Sequence, residues 1–376
     1  MSKPIRILHV IGSMNRGGAE AMIMNYYRNI DRSIVQFDFV ENTTEEAAYD
    51  REIVNLGGKI YHCPHYNGKN HLTYVRWWKQ FFQENKGRYA IVHGHLGSTA
   101  AIYLGIAKQF GIYTIAHSHS ANERIENLQD VLYKVFSYPT RYIADAFFAC
   151  SHKAGIARYG RKFTNSGNKS QIVSNAVDIE TFCFCQTKRD EMRSRIGIQN
   201  SFVVGHVGRF CDAKNHEFLL KVFAVIKQKM PNAKLLLVGG GELEQAIKSQ
   251  ISQLGLQDTV VFAGIQSNVA DYCQAMDVFV FPSKYEGLPV SVIEAQASGL
   301  SCFLSDTISD EVRVTGLVHF LSLKQSAIDW AEYILGNFKD LRKETKQQIV
   351  EAGYDIVSSA EKLQSFYCEV ADGKGK

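Results

Sequence analysis

Two cations and two carboxylates carry the most specific chemistry in this chain. Arg209 and Lys214 lie in Gly208-Arg209-Phe210-Cys211-Asp212-Ala213-Lys214-Asn215-His216, directly after an apolar run at 202–207. A guanidinium grips phosphate with a planar fork, and an ammonium adds a compact point charge. Glu286 and Glu294 are separated by seven residues in the segment that runs through Glu286-Gly287-Leu288-Pro289 to Ile293-Glu294-Ala295. Carboxylates accept hydrogen bonds, and hydroxyl-rich ligands donate them. Pro289 suits the first turn of a helix. The amides near Gly287 and Leu288 would then point outward and form a nest for phosphate or sugar oxygens. The four charges together fit a ligand with both phosphates and hydroxyls. Each glutamate also has a plainer reading, Glu286 as an acid favoured by a helix dipole and Glu294 as a solvated helical residue. Convergence of all four residues on strand ends favours the site.

Three further features could touch a ligand. The first strand runs into Gly12-Ser13-Met14-Asn15-Arg16-Gly17-Gly18-Ala19-Glu20, followed by a helical pattern. Glycines let backbone N–H groups approach closely, and a helix start favours anions. The segment is neither GxGxxG nor a P-loop, and a simple tight turn explains it equally well. Gly239-Gly240-Gly241-Glu242 is the equivalent turn in the second half. His117 ends a strand that begins Tyr113-Thr-Ile-Ala, with His119 two residues on as its rival.

The elements that must hold these residues follow from periodicity. Short β-branched runs alternate with longer amphipathic ones. Strands are expected near 5–11, 35–40, 59–63, 89–93, 112–116 and 146–150, then near 202–207, 233–238, 259–263, 277–281 and 301–304. Helices are expected near 324–350 and 356–370. Such alternation implies α/β folding with parallel sheets covered on both faces. At 376 residues two domains are expected: 1–170, 171–355, and a C-terminal helix within 356–376 that packs back on the first domain. Sheets of this class take ligands at the carboxyl ends of their strands, which is where the charged residues fall.

This arrangement resembles the glycosyltransferases of family 4, which have the GT-B fold of two Rossmann-like doubly wound domains facing across a cleft. The resemblance rests on Glu286…Glu294 with Glu-Gly-Leu-Pro, Gly-Arg-Phe…Lys-Asn at 208–215, Ala-Met-Asp at 275–277, Asn175-Ala-Val-Asp178, and the Gly12…Gly17 opening. It spans roughly 5 to 310 and looks closest to bacterial exopolysaccharide and capsule enzymes. Cys211 and Asp212 depart from the pattern by placing an anion in the phosphate loop, and Ser301 stands where Pro often occurs. By this resemblance the enzyme retains anomeric configuration and binds a nucleotide diphosphate sugar, UDP-linked, in the second domain. Arg209 and Lys214 would hold the diphosphate, Glu294 the ribose and Glu286 the transferred sugar. Gly12 and Gly17 would lie near phosphates and acceptor, and His117 near the transferred sugar. The sequence has no Asp-x-Asp triplet, so basic side chains in place of a metal, with no cofactor beyond the nucleotide-sugar co-substrate, are the expectation.

Composition narrows the partners. Residues 1–175 hold 21 Lys and Arg against 13 Asp and Glu, a balance of +8, within a chain of net charge +4. A basic first half suits an anionic partner such as a membrane surface or a phosphorylated acceptor. Two stretches, 71–82 and 133–163, mix bases with aromatics as interfacial helices do, although Tyr74, Trp78 and Phe81 also have core spacing. A glycan or polyprenyl-linked glycan acceptor met by peripheral membrane contact follows as an expectation. Nucleic acid is disfavoured, since no binding module is recognisable. The eight cysteines include no CxxC pair, and with no apolar stretch near ~20 residues a cytoplasmic address at the inner membrane face is expected. Rival readings are a non-catalytic nucleotide-sugar-binding scaffold and a sugar-nucleotide epimerase of the same fold. A dehydrogenase is disfavoured by the missing GxGxxG and its partner acid.

Overall fold

The runs rich in Val, Ile, Leu and Phe pair in parallel into two separate sheets. The computed structural model describes residues 3–15, 17–119, 128–286, 288–339 and 342–373. The chain divides into two units, one of residues 1–176 and 356–376, the other of residues 177–355.

The first unit is built on β1 (Ile5–Ile11), β2 (Val35–Glu41), β3 (Ile60–His62), β4 (Ile91–Gly94), β5 (Tyr113–Ser118), β6 (Ala146–Ala149) and β7 (Ser170–Ile172), in the order β3-β2-β1-β4-β5-β6-β7. Its helices include α1 (Gly18–Asn29), α2 (His71–Glu84) and α3 (Leu128–Ser137). On one face Ile7, Ile91 and Ile115 meet α1; on the other Leu8, Val92 and Ala116 meet the ring-rich side of α2. Tyr74, Trp78, Phe81 and Phe82 of α2 are buried. The core spacing of that helix therefore decides its role, and the 71–82 stretch is not an interfacial helix.

The second unit is built on β8 (Val203–Val207), β9 (Lys234–Val238), β10 (Val260–Gly264), β11 (Val278–Phe281), β12 (Ser301–Ser305) and β13 (Val318–Leu321), in the order β10-β9-β8-β11-β12-β13. Helices α4 (Gln186–Arg195), α5 (His216–Lys229) and α6 (Val290–Ala297) belong to it. The chain then returns to the first unit as α7 (Ile356–Ala371). Leu363, Tyr367 and Val370 of α7 are buried in the same core as Ile7 and Met24. Both sheets reverse direction of winding once, at β1/β4 and at β8/β11, and the crevice outside such a reversal is where ligands of this architecture bind.

Three expectations need correction. The first boundary falls after Ala176, not after residue 170. Strand β7 extends the first sheet beside β6, and Tyr26 and Asn25 donate to the carbonyls of Ser174 and Ala176. Strands β7 and β13 were missed, being edge strands of three and four residues with little period-two pattern. The helix expected over 324–350 is two helices, Ala327–Asn337 and Lys346–Glu351. No described helix is long and apolar enough to cross a membrane.

Charges inside the second sheet are paired. Asp277 precedes β11 and accepts from Arg189 (2.5 Å) and Arg193 (2.6 Å) of α4 and from the Val203 amide (2.6 Å) at the start of β8. The Arg193 side chain is 9% exposed. Removing one partner of a buried pair costs about 3–5 kcal/mol, because the other charge stays buried alone. Asp277→Ala is therefore expected to lower the melting temperature of the chain by several degrees or more, with Asp277→Asn falling less. Circular dichroism melts of the two variants beside the wild type check this.

Candidate functional site

In the second unit the loop after β8 is shaped by its neighbour after β9. The Gly208 amide donates to the Val238 carbonyl (3.0 Å) and the Phe210 amide to Gly240 (2.9 Å). A Cβ on Gly239, which has φ 140°, would collide with the Gly208 carbonyl, and one on Gly241 would lie 2.6 Å from the Phe210 oxygen. These glycines serve close backbone approach. The loop then makes a short 3₁₀ turn over Asp212–Lys214 and ends at Asn215 in the left-handed region, φ 55°. Asn215 donates to the Pro282 carbonyl (3.1 Å), and the Lys284 amide donates to the Ala213 carbonyl (2.8 Å). The loops after β8 and β11, far apart in sequence, are thereby tied together.

The tie brings Lys214 and Glu286 into contact. Lys214 Nζ lies 2.6 Å from Glu286 Oε1, with the two side chains 16% and 14% exposed. It also sits 4.6 Å above the Phe281 ring, a contact that adds to cation binding. Asp212, the anion at odds with a phosphate loop, is paired with Lys284 at 2.5 Å, so its charge is locally offset.

The other two charges stand differently. Arg209 is exposed and pairs with Glu242 at 3.1 Å, a contact of the kind worth ~0–1 kcal/mol and easily exchanged for a ligand. Glu294 is half-buried on α6, and no described cation pairs with it. Burial pushes its carboxyl up to about 7, so it is neither the solvated helical residue nor a locked ion. Leu288 is buried in the core of the second unit and anchors the loop; Gly287 lies outside the described residues.

In the first unit, Gly12 follows β1 and Gly17 caps α1 with extended backbone. Neither adopts a left-handed φ. A Cβ on Gly12 would meet only Asn42 Oδ1 at 3.8 Å, so turn geometry does not demand glycine there. A cavity of about 820 Å3 adjoins the loop, lined by Gly12, Ser13, Asn15, Gly17, Glu20 and Asn42 among others. Arg16 lies outside the described residues. Beneath the loop Glu41 is fully buried, and its carboxyl is pushed up to about 8 by burial and by Asp50. No local pattern in the sequence marked that acid pair.

Five imidazoles converge at the carboxyl ends of β1, β4 and β5. Period-two alternation places His93 with His95, and His117 with His119, on one face, while His9 is in register with His93. The sequence reading found His117 and His119 but not the other three; the repeated His-x-His was the available signal. Two hydrogen-bonded rows result. In one, His9 Nδ1 lies 2.9 Å from His95 Nε2 and His95 Nδ1 lies 2.7 Å from His119 Nε2. In the other, Tyr367 Oη lies 2.7 Å from His93 Nδ1 and His93 Nε2 lies 3.1 Å from His117 Nδ1. Burial lowers the pKa of every ring, His9 to about 3 and His119 to about 4, so all five are neutral at pH 7. Ligand nitrogens of His95, His117 and His119 lie within 4.8 Å of one another, close enough to hold an ion. That proximity bears on the expectation of no metal site. However, two nitrogens on one tetrahedral zinc at ~2.0–2.1 Å stand about 3.4 Å apart, and the 2.7 Å pair is a hydrogen bond.

Comparison with known proteins agrees across the chain. The model of the Glycosyl transferases group 1 matches residues 188–355, and that of Glycosyltransferase Family 4 matches residues 16–181. The putative glycosyltransferase EpsF of Bacillus subtilis (strain 168) is 36% identical over 370 residues, which cover 96% of each chain. The UDP-Gal:alpha-D-GlcNAc-diphosphoundecaprenol alpha-1,3-galactosyltransferase of Escherichia coli is 25% identical over 77% of this chain and 78% of its own. Among solved structures, Anabaena HepE in complex with UDP has TM-score 0.72 at 17% identity, covering 98% of this chain and 97% of its own. The sucrose-phosphate synthase of Thermosynechococcus elongatus has TM-score 0.75 at 17% identity, covering 99% and 100%. At such identities these structures bear on the fold alone. With both halves matched by family models and a relative 36% identical over nearly its whole length, this chain belongs to the glycosyltransferases of family 4, with the GT-B fold.

Proposed function

We propose that the chain transfers a hexose, with retention of configuration and without a metal, from a UDP-sugar to a lipid-linked glycan in exopolysaccharide or capsule assembly. The observation that carries this reading is the half-buried Lys214–Glu286 pair at 2.6 Å. It sets a phosphate-binding cation beside a carboxylate suited to sugar hydroxyls. Lys214 and Arg209 take the diphosphate and stabilise the negative charge that grows as the glycosyl C–O bond breaks. One preorganised donor of this kind is worth ~2.7–4 kcal/mol, or 10²–10³ in rate. Glu286 accepts from hydroxyls of the sugar, Glu294 from those of the ribose, and His117 contacts the sugar. The Gly12–Gly17 loop approaches phosphates and acceptor by its amides. The acceptor hydroxyl attacks the face the nucleotide leaves, and its proton passes to the departing phosphate oxygen, which yields UDP. UDP is supported by the HepE complex, and a lipid-linked acceptor by the Escherichia coli relative that acts on a diphosphoundecaprenol substrate.

Membrane contact is the second part of the proposal. On α3 Leu132, Val135 and Phe136 are 45%, 60% and 51% exposed, and Tyr142 nearby is 63% exposed. Arg141 lies 4.0 Å over Tyr138 and Arg158 4.8 Å over Tyr133. Apolar side chains ringed by cations suit an anionic lipid surface.

Three outcomes are expected. Saturating UDP at ~100 times its dissociation constant should add about 2.7 kcal/mol of stability, seen as a melting shift of several degrees that Glu294→Ala largely abolishes. No shift with UDP, GDP or ADP removes the nucleotide reading. Because the Glu294 carboxyl ionises only near pH 7, UDP-glucose affinity should rise about tenfold from pH 6 to pH 8, measured by calorimetry, and Glu294→Gln should flatten the profile. The ligand-free protein moves oppositely. A carboxyl raised on folding stabilises below its unfolded pKa, and that contribution is lost as pH climbs through about 7. On vesicles, the full chain should sediment with phosphatidylglycerol at low salt and less so with Val135→Asp and Phe136→Asp together; equal binding to neutral vesicles, or none to either, refutes the contact.

A further inference from the structure

Tyr367 has no part in the chemistry above, yet it ends a hydrogen-bonded row that reaches His117. Its side chain is 0% exposed, and the partner of its hydroxyl among the described residues is His93 Nδ1 at 2.7 Å. His93 Nε2 in turn lies 3.1 Å from His117 Nδ1. At the far end His117 Nε2 is buried and has no hydrogen-bond partner among the described residues. His93 and His117 are almost fully buried at 1% and 5% exposure, and the His93 ring stacks against His117 and His95 and lies tilted against His9, so neither ring turns freely.

We propose that Tyr367 and His93 are positioning residues that hold His117 in the tautomer bearing its proton on Nε2, so that His117 serves as a fixed hydrogen-bond donor to an oxygen of the transferred sugar. The direction follows from counting protons. The Tyr367 hydroxyl hydrogen must go somewhere, and an orphaned buried donor costs about 1–3 kcal/mol. Among the described residues the acceptor within reach is His93 Nδ1. A neutral imidazole carries one proton, so with Nδ1 accepting, His93 donates from Nε2. His117 Nδ1 must then accept, and the His117 proton sits on Nε2. The reverse direction strands the tyrosine hydrogen in a closed interior. The chosen direction leaves its single unsatisfied N–H at a strand's carboxyl end, where a ligand oxygen can accept it. Burial keeps both rings neutral at pH 7, which preserves the one-proton count. In this tautomer Nε2 cannot take a proton from the acceptor hydroxyl, so His117 is a donor and not a general base.

The tautomer inference stands on geometry alone; the kinetic consequence rests on the proposed function. The full chain labelled with 15N-histidine reports which ring nitrogen carries the proton. Wild-type His117 should show a single Nε2–H form at pH 7, and Tyr367→Phe, which keeps the ring but removes the hydroxyl, should show both tautomers exchanging. A wild-type Nδ1–H form, or an unchanged single form in Tyr367→Phe, overturns the proposal. Turnover tests its use. Tyr367→Phe should lower kcat/KM for the donor sugar by no more than about tenfold, since the unlocked ring still visits the competent tautomer, with UDP affinity unchanged. His117→Ala should fall further. If the lock is seen by NMR but neither variant alters turnover, the tautomer stands and the assigned role of His117 at the sugar falls.

Discussion

A parallel sheet buried on both faces leaves no water for the polar groups inside it, and much of this protein follows from that constraint. Any charge or ring nitrogen between the strands must find a protein partner or lose its charge. Asp277 meets two arginines and an amide. Asp38, fully buried on β2, accepts from Arg6, Arg88, Tyr89 and the Lys59 amide. The histidines, with no carboxylate paired to them among the described residues, bond to one another and lose their positive form. Polar residues buried in the sheets thus become scaffolding, and those at the carboxyl ends remain available for ligands.

The strand ends show graded readiness. Lys214 and Glu286 are held against each other and against Phe281 before any ligand arrives. In the proposed transfer such preorganisation spares the cost of arranging charges during the reaction. Arg209 is exposed and loosely paired with Glu242, so it can be recruited with little loss. Glu294 has no cation beside it among the described residues and has a raised pKa, so in the proposed reaction hydroxyl donors of the ligand stabilise its charge.

Two helices show how similar sequences diverge. Both α2 and α3 mix rings with bases. On α2 the rings repeat at 74, 78, 81 and 82 and meet Val92 and Tyr103 under the sheet. On α3 Leu132, Val135 and Phe136 stay open to solvent. Amphipathic patterning specifies that a helix has an apolar side, and only the position of the sheet specifies whether core or another surface covers it.

Periodicity along the chain was enough to predict the two parallel α/β sheets that the structure contains, and it placed the residues of the proposed site near strand ends. These properties are local: strand alternation and helix spacing arise from sterics over a few residues. Length alone did not hide strands, since β3 has three residues and β4, β6 and β11 have four; β7 escaped because Ser-Gln-Ile holds a single apolar residue, and β13 because His319 interrupts its apolar run. What only the tertiary structure decided is which groups meet. Lys214 finds Glu286 across 72 positions, Lys284 cancels Asp212 at the same separation, and Tyr367 reaches His93 across 274. The raised pKa of Glu294 and the tautomer of His117 belong to the same class. Each depends on strand register and on the dielectric of a filled interior, and neither quantity exists until the sheets have closed.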